Sequence, residues 1–157
     1  MVKQKLILIA LTLFGASGLA LANLGDSKET ASLRFGAPSN SLGHAAYYRV
    51  KEGIVMEWYG KDNLCEVAAY YKLTGEFESD ETDKLAEANL PKSVETDDWI
   101  EYRAEMPGVR AWITKDRHYY KEQGHVPLPT LSGTYPAFLV ATLPGYEAFV
   151  KEFSSLQ

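Results

Sequence analysis

The sequence predicts an α+β protein: an antiparallel sheet from two helix-strand-strand-strand pseudo-repeats, then a proline-rich loop and a C-terminal strand and helix. Three observations predict it. Short alternating apolar runs separated by turn residues follow each of two capped helical stretches. Tyr48-Arg49 with Tyr102-Arg103, Trp58 with Trp112, and Lys61-Asp62 with Lys115-Asp116 share one offset of 54 residues, the kind of spacing two copies of a supersecondary unit leave behind. The chain has 157 residues, 46% hydrophobic and 24% charged, enough for one buried core.

The chain opens on an address. Lys3 and Lys5 precede an uncharged run from Leu6 to Phe14, and Ala20-Leu21-Ala22 supplies a small-x-small cleavage signature, so residues 1–22 read as a secretory signal peptide. A membrane anchor is the rival, but the apolar stretch is short, diluted by Gly15 to Gly18 and followed by no basic cluster. The expected product is an exported domain, periplasmic or secreted, over residues 23–157, with no membrane span after cleavage.

Asp26 or Ser27 caps a first helix, with Glu29 as reciprocal partner of Asp26, and Gly36 with Pro38 ends it. Three strand-like runs follow at 45–51, 54–59 and 66–73, divided by Glu52-Gly53 and by Gly60-Lys61-Asp62-Asn63. Ser79 or Asp80 opens a second helix that Pro91 closes, and the pattern recurs at 99–104, 109–114 and 118–122. Residues 99–105 satisfy a helix equally well. The pseudo-repeats are thus about 27–76 and 80–123. Pro127, Pro129 and Pro136 make 124–136 an irregular loop. The run at 137–142 is apolar on both parities, a strand covered on both faces. Thr142 and Pro144 then start a last helix, whose Tyr146, Phe149, Val150 and Phe153 fall on one stripe.

Strand parity sorts the faces. Ile54, Met56 and Trp58, with Val67, Ala69, Tyr71 and Leu73, belong toward the helices. Tyr59, Tyr70, Trp99, Glu101 and Arg103 take the opposite parity, and Tyr47 joins them if Tyr48 points inward. A one-residue slip at Pro107 puts Val109, Ala111 and Ile113 inside and sends Trp112 out beside Arg110. Trp99, Arg103, Arg110, Trp112, Tyr59 and Tyr70 are therefore the candidate binding residues. Large aromatics with arginine on a rigid sheet make protein-binding hot spots, although such residues also stabilise a sheet face that has no partner.

Composition narrows the chemistry. A single cysteine excludes a disulfide framework, a four-cysteine zinc module and an iron–sulfur protein. Mean hydropathy of -0.22 with 7 prolines excludes a disordered chain and a multi-span membrane protein. Without Lys3 and Lys5 the chain carries 14 basic against 21 acidic residues, and residues 76–105 hold eleven of the acids, which argues against nucleic acid as a partner. The acidic run from Glu76 to Asp83 lacks the glycine and distal glutamate of a calcium loop. His44, His118 and His125 fit no zinc motif, and no nucleophile elbow, phosphate loop or dinucleotide fingerprint occurs. No catalytic residue, metal or cofactor is assigned. Cys65 reads as an inert thiol.

Tandem helix-plus-antiparallel-strand units with Tyr47, Tyr59, Tyr70, Trp99 and Trp112 on an open sheet face resemble the β-lactamase inhibitor protein family. That resemblance implies a sheet face that contacts a partner protein. The paired cysteines of each unit in that family are missing here, and only the architecture and the contact face carry over. The sequence thus points to an exported, non-enzymatic domain binding an envelope or extracellular protein. The alternative is a small carbohydrate-binding or hydrolytic domain in which Trp99 and Trp112 stack on sugars and two of Glu57, Glu101 and Glu122 supply acid and base.

Overall fold

The computed structural model describes residues 22–104 and 106–156. The expected signal segment lies outside them except for Ala22. The elements run α1 (Lys28–Phe35), β1 (Asn40–Leu42), β2 (Ala45–Val50), β3 (Gly53–Tyr59), β4 (Cys65–Lys72), α2 (Ser79–Asn89), a 3-10 turn (Thr96–Asp98), β5 (Trp99–Tyr102), β6 (Arg110–Thr114), β7 (Tyr119–Pro127), β8 (Thr134–Thr142) and α3 (Leu143–Ser155). The protein is α+β, with one eight-stranded antiparallel sheet in the order β1-β2-β3-β4-β8-β7-β6-β5.

Each half is a helix followed by a four-strand meander, and the last strands, β4 and β8, join the halves at the centre of the sheet. The three-strand units expected from the sequence were each one strand short: β1 completes the first and β8 the second. Trp58 lies on the third strand of its meander and Trp112 on the second of its own, so the 54-residue offset does not bring the two tryptophans to matching strands. The loop expected at 124–136 is mostly strand as well, because β7 and β8 pair from Tyr119↔Thr142 out to Pro127↔Thr134. Pro136 is tolerated because β4 pairs with β8 only over 137–141, leaving no ladder partner on that side for the missing N–H. Gly124 has no substitute there, since a Cβ would meet the Gly108 carbonyl at 2.9 Å.

Helix ends follow local chemistry. The Ser27 hydroxyl accepts from the Thr30 N–H at 3.2 Å and opens α1, which ends at Gly36 with φ 83°. Asp26 pairs with Arg34 at 2.5 Å, and it is Ser27, not Asp26 with Glu29, that caps the helix. Glu78 and Glu81 form a reciprocal capping box on α2, and Lys72 of β4 pairs with Glu81 at 2.7 Å, fastening α2 to the sheet.

Both faces of the first half are covered. Tyr47, Met56, Trp58, Ala69 and Leu139 pack under α3 through Tyr146 and Phe149. Tyr48, Val55, Tyr59, Tyr70 and Phe138 face the other way, under Ala31 of α1 and Leu85 of α2. Tyr47 is therefore interior, because it sits opposite Met56 and shares its face. The stripe on α3 is only half-buried, and Gly145 is the one fully buried residue of that helix.

Candidate functional site

On the α1/α2 side the residues buried under the helices lie on β2, β3, β4 and β8. On the remaining strands of that face, register brings Trp112 of β6 opposite Glu101 of β5 on one side and Lys121 of β7 on the other. Trp99 lies opposite Thr114, one pleat repeat along the same face. The Lys121 ammonium sits 4.3 Å from the Trp99 ring centroid and 5.2 Å from that of Trp112. The Arg110 guanidinium covers Trp112 at 5.1 Å and bonds Glu101 at 3.2 Å. The exposed Arg110–Glu101 pair contributes little stability, about 0 to 1 kcal/mol. Three cation–π contacts of about 0.5 to 1 kcal/mol each, however, hold the two indoles in fixed positions. Burial lowers the Lys121 ammonium from its ordinary range, opposed by the nearby Asp83 carboxylate. A groove of about 740 Å³ runs beside this cluster, bounded by Trp99 and Lys121 below, by Asp83 and Glu87 of α2, and by Leu90 just past that helix.

Of the six residues singled out by sequence, Trp99, Trp112 and Arg110 are brought together. Arg103 is not: it lies past the end of β5 and lines a cavity on the opposite side with Tyr102, Tyr120 and Tyr146. Tyr59 and Tyr70 are buried, which corrects their assignment to an open face. The reason is that the first meander has helices on both sides, and an alternation of aromatic with apolar residues does not tell an open tyrosine face from a covered one. Tyr59 donates to Glu57 Oε2 at 2.6 Å. Tyr70 donates to the Ala22 carbonyl at 2.7 Å and accepts from Asn89 at 2.9 Å, tying the start of the described chain to α2.

The role of Lys121 and the burial of Glu57 and Glu122 escaped the sequence reading. Lys121 cements the aromatic cluster, yet only the β6–β7 register reveals it. Glu57 is fully buried under α1, with its Oε1 receiving no hydrogen bond from the described residues, and burial pushes its carboxyl up to about 7 despite the Tyr59 hydroxyl. Glu122 accepts from Tyr120 at 2.5 Å and from Tyr146 at 3.2 Å on the α3 side, and burial raises it too. Glu101, Glu57 and Glu122, the carboxylates considered for acid–base work, thus lie in three separate environments. Glu57 and Glu101 share a face but stand at opposite ends of a row that crosses β4, β8, β7 and β6, and Glu122 is on the other face.

Among the described residues, no three His, Cys, Asp or Glu side chains converge as metal ligands. Cys65 is buried, its thiol raised well above the ordinary range by burial, and it donates to the Val67 carbonyl at 3.3 Å. No helix of the described residues is long and apolar enough to cross a membrane. Compared with protein-family models, curated proteins and solved structures, the chain matches none.

Proposed function

We propose that the protein is an exported, non-enzymatic interaction domain that binds another protein through the uncovered end of its sheet, with Trp99, Trp112 and Arg110 as contact residues. The single observation carrying this reading is the pair of half-buried tryptophans, held by Lys121, on the face of β5 and β6 that lies beyond the residues buried under α1 and α2. Rigid, partly desolvated indoles beside an arginine offer wide contact area with little rotamer entropy left to lose. The surface reaches the sheet edge, where β5 has no outer neighbour among the described strands and carries the half-buried Trp99 and the exposed Glu101 on this face. The resemblance to the β-lactamase inhibitor protein family supports the use of a sheet face as contact surface and supplies no contact residue. The partner expected is a protein of the cell envelope or the extracellular space.

One observation favours the carbohydrate-binding or hydrolytic alternative: the groove that joins Trp99 to Asp83 and Glu87. Against it, the Lys121 ammonium already occupies ring faces of Trp99 and Trp112, where a sugar would have to stack.

The test is site-specific photo-cross-linking in envelope extract, with the reactive side chain at position 112, at 99, or at the control position 61 in the turn between β3 and β4. One covalent protein adduct shared by positions 112 and 99 and absent at 61 supports the reading. Equal labelling at all three positions contradicts it.

A further inference from the structure

Beneath α3, a cavity of about 270 Å³ separates the helix from the sheet. Its walls include Tyr47, Tyr71, Tyr146, Phe149 and Phe153, with Leu139 on the sheet side and Met106 and Ser154, both exposed, at the rim. Glu122 also lines it, and among the described residues no lysine, arginine or histidine does. Register explains the placement of Glu122: it lies opposite Ala111 and Leu139 on the inward parity of β7, where an apolar residue belongs.

Two hydroxyls are spent on holding that carboxyl in position. Tyr120 and Tyr146, stacked at 3.8 Å between centroids, both donate to Oε2. Oε1 receives no hydrogen bond from the described residues and is not among their fully enclosed polar atoms, so it is left for a donor in the cavity. A carboxylate inside an apolar space is costly without a counter-charge, and an aromatic cage attracts a cation through its ring faces.

We propose that this cavity is a binding site for a small organic ammonium: a protonated amine received by Glu122 Oε1 and the tyrosine rings, with an apolar body lying against Leu139 and Phe149. An engineered cavity of about 150 Å³ holds one benzene ring, so the volume here suits a ring with a short chain, about ten non-hydrogen atoms. The site is on the opposite side of the sheet from Trp112 and is independent of the protein-binding face.

Calorimetric titration at pH 7 with phenethylammonium, set against 3-phenylpropionate of matching shape and opposite charge, tests this. Phenethylammonium should bind, and the anion should bind at least a hundredfold more weakly. Glu122→Gln should weaken the ammonium at least tenfold, Ser154→Trp should abolish binding by filling the mouth, and Trp112→Ala should change nothing. Because Glu122→Gln removes a buried group, its fold is checked by circular dichroism. Should it unfold, the discrimination between the two charges and the loss in Ser154→Trp, a substitution on an exposed turn of α3, decide the matter. Equal affinity for cation and anion, an unaltered affinity in folded Glu122→Gln, or no binding of phenethylammonium to the wild-type protein overturns the proposal.

Discussion

Glu57 works against the fold at neutral pH, and its replacement by glutamine should show it. The side chain is fully buried on β3 beneath α1, with Tyr59 donating to Oε2 and none of the described residues donating to Oε1. Burial is the main cause of its raised titration, the neighbouring Asp26 adds to it, and the Tyr59 hydroxyl and Arg34 oppose it, leaving the carboxyl at about 7 against an ordinary 4.5. The folded protein therefore holds the proton more tightly than the unfolded chain. Stability from this group is full below pH 4.5 and falls as pH rises toward 7. At about 1.4 kcal/mol for each pH unit, the loss comes to about 3 kcal/mol. Glu57→Gln preserves the acceptor for Tyr59 and does not titrate. Thermal melts of both proteins from pH 5 to pH 8 share every other titrating group, so their difference isolates Glu57. About 2.5 kcal/mol of that loss falls between pH 5 and pH 8, so the variant should gain on the wild type by about 5 to 10 °C across that range, at about 2 to 4 °C for each kcal/mol at this size. A melting difference that does not change with pH would refute the reasoning, because Glu57 would then titrate alike in folded and unfolded chains.

Other outcomes follow from the packing. Phe149→Ala should cost about 2 to 3 kcal/mol in chemical denaturation, below the about 3 to 5 typical of a fully buried phenylalanine, because Phe149 is half-buried and borders an existing cavity. Mass spectrometry of the protein from its native host should find Asn23 as the first residue, and an intact Met1 would contradict export. Since Tyr70 donates to the Ala22 carbonyl, Tyr70→Phe should destabilise a chain beginning at Ala22 by about 1 kcal/mol more than one beginning at Asn23; equal costs would show that this hydrogen bond contributes nothing.

Much of the architecture is legible in the chain because strand-length alternation, turn glycines and helix caps are local signals. Gly36, the Glu52-Gly53 turn and Thr142 with Pro144 each stand where the structure ends or starts an element. The slip at Pro107 correctly separated Trp112 from Ala111 and Ile113, since parity within one strand needs no knowledge of its neighbours. What depends on neighbours was hidden. Tyr59 and Tyr70 alternate as an open face would, and only the positions of α1 and α2 bury them. Glu57 reads as a solvent-facing acid for the same reason. Lys121 reads as one more surface lysine until β6 and β7 align it with Trp112 and bring it over Trp99 as well. Arg103 fails at a strand end, where alternation ceases to dictate direction.

The claim at the centre of this account is that Trp112 contacts a partner protein, and the affinity of the cross-linked partner for the wild type and for Trp112→Ala measures it directly. Loss of a hot-spot tryptophan weakens a complex by about 2 kcal/mol or more, roughly thirtyfold. The same substitution removes two cation–π contacts, from Lys121 and Arg110, so the melting temperature should fall by only a few degrees, at about 0.5 to 1 kcal/mol for each contact. A thirtyfold weaker complex formed by a variant that still folds is the predicted result. Unchanged affinity, with both proteins folded, would contradict the account.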